Sequence, residues 1–247
     1  MPGPLVQLAS DLVRLPKRAQ RRVVALLRRA RLGRREEAFA TPYATGHWGR
    51  MGSQPYFSGP GSLPENIGPY LRVVSQYIRA NAIRSVVDVG CGDFRASGAL
   101  DLHGARYLGV DIVSHLIDHN TRHFGSSRVR FARLDVGRDP LPAADLCLIK
   151  QVLQHWSNAD ILALLPRLDV YEHVLILDGW LTASATPGRN LDIPTGPHFR
   201  LCGLYLEAPP FNWPIDVLHA YRSANGLEEF RLVRLGQARL SCTPPSA

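Results

Sequence analysis

The chain has 247 residues, 45% of them apolar and 20% charged, which suits a soluble globular protein of one α/β domain with appendages or of two small domains. No apolar run approaches the ~20 residues of a spanning helix, and no signal-peptide pattern opens the chain. Cys91, Cys147, Cys202 and Cys242 lack metal-ligand spacing and read as reduced thiols of a cytoplasmic protein. The net charge is +8, but residues 1–37 hold ten Lys/Arg against three acidic residues, and everything beyond them carries only +1. The body therefore gives no reason to expect a nucleic-acid partner.

The basic segment 19–35 sets Val23, Val24, Leu26, Leu27 and Ala30 on one helical face flanked by arginines. Such a helix can lie on an acidic membrane surface, dock on a protein through residues 14–35, or cover its own domain with arginine stems along the stripe. We divide the chain into a basic helical leader, 1–40, and a main domain, 41–247. Residues 40–64 are rich in Gly, Pro, Ser and aromatics and read as an irregular segment, while Leu71, Val74 and Ile78 mark a helix. From there strand-like runs alternate with helix-length segments. The strands are 85–90, 106–112, 129–136, 145–150 and 174–179; the helices are 113–124, 151–156 and 157–168. Ser157-Asn-Ala-Asp160 reads as a variant capping box. This alternation predicts an α/β fold with a doubly wound, largely parallel sheet. Residues 229–242 read as an antiparallel edge hairpin joined through Gly236, and 180–214 carry little regular pattern.

In such sheets ligands sit beyond the carboxyl ends of the strands, where strand order reverses. The turn Gly90-Cys-Gly-Asp-Phe-Arg95 falls there. A dinucleotide fingerprint would need glycine at position 95, and a pyrophosphate would meet Asp88 and Asp93. A cationic ligand reverses that sign, so the turn suits the sulfonium and ammonium of S-adenosylmethionine better than NAD. Asp111 ends the second strand 21 residues after Gly90, where ribose hydroxyls would lie. Asp135 closes the third strand, either to accept from an adenine amino group or to cap the turn into Gly137.

The motifs DVGCGDF, YLGVDI, ARLDV and LCLIKQVLQHWS, in that order, resemble those of class I S-adenosylmethionine-dependent methyltransferases. More narrowly the chain resembles a bacterial group with a W-G…S-G-x-G-S segment (Trp48-Gly49, Ser58 to Ser62) before a D-x-G-C-G-D-aromatic turn. Asn190-Leu-Asp192-Ile and Pro209-Pro-Phe211-Asn-Trp-Pro are similar to that group too. The resemblance implies a Rossmann-like seven-stranded sheet, with Asp88, Gly90, Cys91, Gly92 and Asp93 on the methionine part of the donor. Asp111 and Ile112 would serve the ribose, Asp135 and Val136 the adenine edge, and Ser58 to Ser62 would close over the donor. The chain departs from the group around Arg200, which is displaced, and at Tyr205, where an aspartate is usual.

Methyl transfer to an alcohol benefits from a base. Only two of the 29 basic residues are lysines, and one of them, Lys150, ends the fourth strand beside the donor turn. Lys150 is a candidate to orient the acceptor or the donor's tail, or else a solvated strand end. His155 is the candidate base, or else a helix-start residue bonded to backbone. His198, Arg200, Tyr205 and Trp213 are the candidate acceptor contacts, in a long loop at the carboxyl edge. His115, His119 and His123 share a helical face, but nothing completes a tetrahedral set, and no metal is expected. The predicted function is methyl transfer to a small molecule, with a hydroxyl of a sugar or polysaccharide precursor as first choice. The alternatives are a non-catalytic S-adenosylmethionine-binding scaffold and a nicotinamide-dependent oxidoreductase. Localisation is predicted as cytoplasmic, or peripheral to the membrane through the leader.

Overall fold

The computed structural model describes residues 16–184 and 189–236; of residues 20–32, 34 and 184 only the backbone is described. A long helix α1 (Lys17–Thr45) precedes α2 (Pro64–Ala80). There follow β1 (Ser85–Val89), β2 (Arg106–Asp111), α3 (Ser114–Phe124), β3 (Val129–Arg133), β4 (Leu146–Lys150), α4 (Asn158–Leu164), β5 (His173–Leu181), β6 (Ile215–Arg222) and β7 (Glu228–Leu235). The seven strands form one sheet in the order β3-β2-β1-β4-β5-β7-β6. β1 to β5 pair in parallel, whereas β7 runs antiparallel between β5 and β6. Strand order reverses between β1 and β4, so a crevice opens beyond their carboxyl ends.

The near-continuous apolar runs of β1, β4 and β5 follow from burial on both faces. Along β4, Leu146 and Leu148 face one side with Val86, Tyr107 and the Tyr70, Val74 and Ile78 stripe of α2. Cys147 and Ile149 face the other, with Val87, Val89 and the Ile161 and Leu164 stripe of α4. Ser157 caps α4, its hydroxyl accepting from the Asp160 N–H at 3.1 Å, as the Ser-x-x-Asp pattern predicts.

Two predicted elements come out differently. The leader helix does not stop before residue 40; it runs to Thr45 and ends at Gly46, whose positive φ of 70° closes it with an N–H bond to the Pro42 carbonyl. The Thr41 and Thr45 hydroxyls bond back to the carbonyls of Glu37 and Thr41, so Thr-Pro continues a helix where it reads as irregular. The hairpin lies at 215–235 rather than 229–242. β6 and β7 are joined through residues 223–227, and Gly236 follows β7 instead of turning it. β6 is an edge strand whose register shifts between Val217 and His219, which blurs its alternation in sequence. Residues 237–242, including Cys242, lie outside the described residues. So do the side chains of Val23, Val24, Leu26, Leu27 and Ala30 on the proposed apolar face of the leader. Among the described residues, no helix is long and apolar enough to cross a membrane.

Candidate active site at the switch point

A cavity of about 400 Å³ sits over the carboxyl ends of β1, β2 and β4. Its floor is the turn after β1. Gly90 and Gly92 have φ of 69° and 57°, and a Cβ on Gly92 would come within 2.4 Å of the Ser58 hydroxyl. Only glycine allows that approach. The Ser58 to Ser62 segment lines the cavity opposite this floor. Ser58 is locked to the floor by a reciprocal pair: its N–H donates to Asp93 Oδ2 at 3.1 Å, and the Asp93 N–H donates to its Oγ at 2.9 Å. Tyr43 Oη adds a 3.0 Å bond to the same hydroxyl. Gly61 abuts Gln151, whose φ of 54° turns the chain directly after β4.

The turn after β2 brings in Asp111. Its carboxylate accepts from the Gly92 N–H at 3.2 Å and the Val113 N–H at 3.0 Å, which ties the β1 and β2 loops together. Burial nevertheless raises its pKa to about 6, against the lowering effect of those N–H groups. Asp135, at the end of the third lobe of the wall, accepts from the Gly137 N–H at 3.1 Å, so it does cap that turn. It also lines the cavity, lies 3.8 Å from Arg35 Nε and keeps its Oδ2 without a hydrogen-bond partner.

Thus Gly90, Cys91, Gly92, Asp93, Asp111, Ile112, Asp135 and Val136 all line the cavity. Asp88 does not. It shares a face of β1 with Val86, and its Oδ2 accepts from Tyr107 Oη at 2.6 Å and from the Ser97 hydroxyl. A carboxylate 1% exposed, with burial raising its pKa, holds the loop after β1 from beneath rather than touching a ligand. Tyr107→Phe should destabilise the fold by about 1–3 kcal/mol, because Asp88 is then buried with one donor fewer. Chemical denaturation would measure it.

The second half of the cavity lies toward β4 and β5. Lys150 at the end of β4 donates to Gln151 Oε1 at 2.8 Å. Burial lowers its pKa to about 8, opposed by the carboxylates of Asp88, Asp93 and Asp178. His155 closes the short turn Leu153–His155, where the sequence reads as a longer helix. Its Nδ1–H donates to the His198 carbonyl at 2.9 Å, and in that tautomer Nε2 is the acceptor, taking a long 3.4 Å bond from the Gln154 amide. Burial pushes its pKa down to about 4, against the raising effect of the His198 carbonyl. The ring packs beside Trp48 and Phe39. Because β5 runs on past Leu177, the partner of Lys150, its Gly179, Trp180 and Leu181 reach the cavity together with Glu228 at the start of β7.

The proposed acceptor contacts sit differently. Arg200 is 1% exposed and donates to the carbonyls of Leu191 and Trp156, so it braces the loop 189–206 from inside. Tyr205 packs at a tilt against Trp180, 5.5 Å between ring centres, and lies under the Arg231 guanidinium; Trp213 donates to the Gly236 carbonyl against the core. His198 contributes its carbonyl to His155, while its ring lies 6.2 Å from that of His47. None of these four lines the cavity; among residues 189–206, Phe199 does. Arg35, Phe39, Tyr43 and His47 of the first helix and its end, and Trp180 and Glu228, are lining residues that the sequence reading leaves unnamed. A helical 35-39-43 spacing was the signal available for the first three. His115, His119 and His123 lie on one face of α3, with the latter two rings stacked 4.1 Å apart. Among the described residues no group of three or more His, Cys, Asp or Glu could hold a metal.

Residues 87–168 match the family described as a methyltransferase domain. No curated protein matches the sequence. Among solved structures, human N-acetylserotonin methyltransferase in complex with SAM is 16% identical, with a TM-score of 0.49 over 69% of this chain and 53% of its own. The mitomycin 7-O-methyltransferase MmcR is 17% identical, with a TM-score of 0.46 over 69% of this chain and 56% of its own. Magnesium protoporphyrin IX methyltransferase from Synechocystis PCC 6803 with bound SAH is 14% identical, with a TM-score of 0.47 over 70% of this chain and 85% of its own. The chain thus spans little more than half the length of the first two. The seven-stranded sheet with its antiparallel β7 is a Rossmann-like α/β fold.

Proposed function

We propose that this protein transfers a methyl group from S-adenosylmethionine to a hydroxyl of a small molecule, and that the acceptor is a sugar or polysaccharide precursor. The observation that carries the reading is an acidic donor half: Asp93, Asp111 and Asp135 line one cavity at the switch point, over a floor of two left-handed glycines. Asp93 lies 3.6 Å from Arg95, and Asp135 lies 3.8 and 3.7 Å from Arg35 and Arg138, so the charge that attracts a cation and disfavours a pyrophosphate rests mainly on Asp111. Asp135 Oδ2 accepts no hydrogen bond, although Arg138 Nη1 stands 3.7 Å away, and is an acceptor suited to an adenine amino group. In this reading Gly90 to Asp93 hold the methionine part, Asp111 and Ile112 the ribose, and Asp135 and Val136 the base. The match of residues 87–168 to a methyltransferase domain supports it. The Trp48-Gly49, Ser58 to Ser62 and Asp88 to Phe94 segments further resemble the bacterial group named above.

The bound donor would supply an electrophilic methyl on a sulfonium. His155 would take the acceptor's hydroxyl proton on Nε2 as the oxygen gains the methyl, and the His198 carbonyl would steady the imidazolium. Lys150 would orient the acceptor oxygen. Trp48, Trp180 and Phe199 offer flat apolar faces, and Gln151 and Glu228 offer polar groups, a pairing that fits a polyhydroxylated ring. The arginine-rich start of α1 is the candidate for contact with a membrane surface or another protein of the cytoplasm.

Calorimetric titration with S-adenosylmethionine, S-adenosylhomocysteine and NAD tests the donor reading: micromolar binding of the first two alone supports it, and binding of NAD alone overturns it. A screen of nucleotide sugars and glycans with labelled methyl donor then tests the acceptor, and donor binding without transfer to any acceptor would favour the scaffold reading. With an acceptor found, the pH profile assigns Lys150. Its pKa of about 8 lies below that of free lysine, so it is charged below about pH 8 and neutral above. At saturating donor, an orienting cation predicts activity flat from about pH 5 to 7.5 that falls above about 8, and the fall should vanish in Lys150→Gln. A rise through pH 8 would make the neutral amine the base instead.

A further inference from the structure

Arg35 sits on the first helix, yet it lines the donor half of the cavity. Its side chain is only 10% exposed; Nε lies 3.8 Å from Asp135 Oδ1 and Nη1 lies 3.5 Å from Asp160 Oδ2. The guanidinium carbon stands 4.5 Å over the Trp156 ring. These contacts fix the plane of the fork but leave Nη2 without a hydrogen-bond partner, while the neighbouring Asp135 Oδ2 also has none. A buried N–H of a cation left unpaired is costly, and its helix is held in place independently. Glu36 accepts from the Ser114 N–H at 2.9 Å and from Arg133 Nη2 at 2.6 Å. Arg138 Nη1 lies 3.7 Å from Asp135 Oδ2, an ion-pair distance that makes no hydrogen bond, so a donor and an acceptor that both lack one belong to neighbouring side chains of one wall.

We propose that Arg35 is a specificity-determining residue, whose guanidinium donates to a ring nitrogen of the donor's adenine beside the amino group taken by Asp135. An adenine presents that pattern, an N–H donor next to a ring-nitrogen acceptor, on either side of its amino group; hypoxanthine puts a carbonyl where the N–H donor stands. The inference rests on the donor reading above. The first helix is then part of the donor site and not merely an address, and the base is read by two residues 100 positions apart in sequence.

The test uses the full chain and calorimetry with S-adenosylhomocysteine and its 1-deaza and 7-deaza analogues, in which one ring nitrogen becomes C–H. Wild type should bind one of the two analogues about tenfold more weakly than the parent, the scale of a lost charge-assisted bond. Arg35→Met should bind the parent about tenfold more weakly and be indifferent to both replacements. A purely structural arginine would lower affinity for all three ligands alike and leave their ratios unchanged. Should Arg35→Met melt early, Arg35→Lys keeps the charge beside Asp135 and Asp160 without the fork. Equal binding of all three by wild type overturns the role of Arg35 while the donor reading stands. The same deaza penalty in wild type and variant overturns it too, and no binding of the parent ligand removes both.

Discussion

Replacing His155 with glutamine should leave the affinity for S-adenosylhomocysteine within a factor of about two and lower turnover by roughly two to three orders of magnitude, the usual worth of a positioned proton acceptor. The geometry argues for this separation. The imidazole is held by the bond from Nδ1–H to the His198 carbonyl, by the long 3.4 Å bond that Nε2 accepts from the Gln154 amide, and by packing beside Trp48 and Phe39. A glutamine amide can still donate to that carbonyl, so the wall stays closed. What it lacks is a lone pair on nitrogen. Burial, which drives the imidazole pKa to about 4, keeps Nε2 unprotonated at every pH above about 5. The rate should therefore show no acid limb near neutrality. Single-turnover transfer of labelled methyl to the acceptor is the decisive measurement, because product release does not mask it. A loss below about threefold would reduce His155 to a residue that packs the wall and holds residue 198.

The half of the cavity beyond β1 and β2 was legible in sequence because its lining is carried by a contiguous turn and by strand ends. Five parallel strands announce themselves as apolar runs, and a ligand turn follows the first of them, so Gly90 to Asp93, Asp111 and Asp135 can be placed from spacing alone. Asp88 shows where that logic stops. It sits next to the turn, but alternation along β1 sends it to the far face, onto Tyr107 and Ser97. The acceptor half was less legible, since it is assembled from distant pieces. Trp180 reaches the cavity only because β5 outruns β4, and Glu228 only because β7 pairs antiparallel with that overhang. Arg200 and Trp213 carry polar groups in a loop, which suggests contact with a ligand; the fold turns both inward to satisfy backbone carbonyls. The edge strand β6 was missed because a register shift breaks its alternation, and the last turns of α1 because Thr-Pro reads as a break.

Asp111→Ala should weaken S-adenosylhomocysteine binding about a hundredfold with little change in the sheet beneath. Two losses add. The carboxylate is the proposed acceptor for the ribose hydroxyls, each charge-assisted bond worth about 1.5–3 kcal/mol. It also accepts the N–H groups of Gly92 and Val113, so its removal frees the floor of the cavity as well as emptying one side of it. Asp111→Asn separates the two: its side-chain oxygen still accepts one of the N–H groups, and only the charge is gone, so about a tenfold loss is expected. The pH dependence has a fixed sign. Burial raises the Asp111 pKa to about 6 in the free protein. Hydroxyl donors and a cationic ligand favour the ionised form, so binding pulls that pKa down. By linkage, affinity should fall as pH drops through about 6 in wild type and stay level in Asp111→Asn. Wild-type binding that is level from pH 5 to 8, or a variant that binds as tightly as wild type, would place the ribose elsewhere in the cavity and return Asp111 to the role of a loop tie.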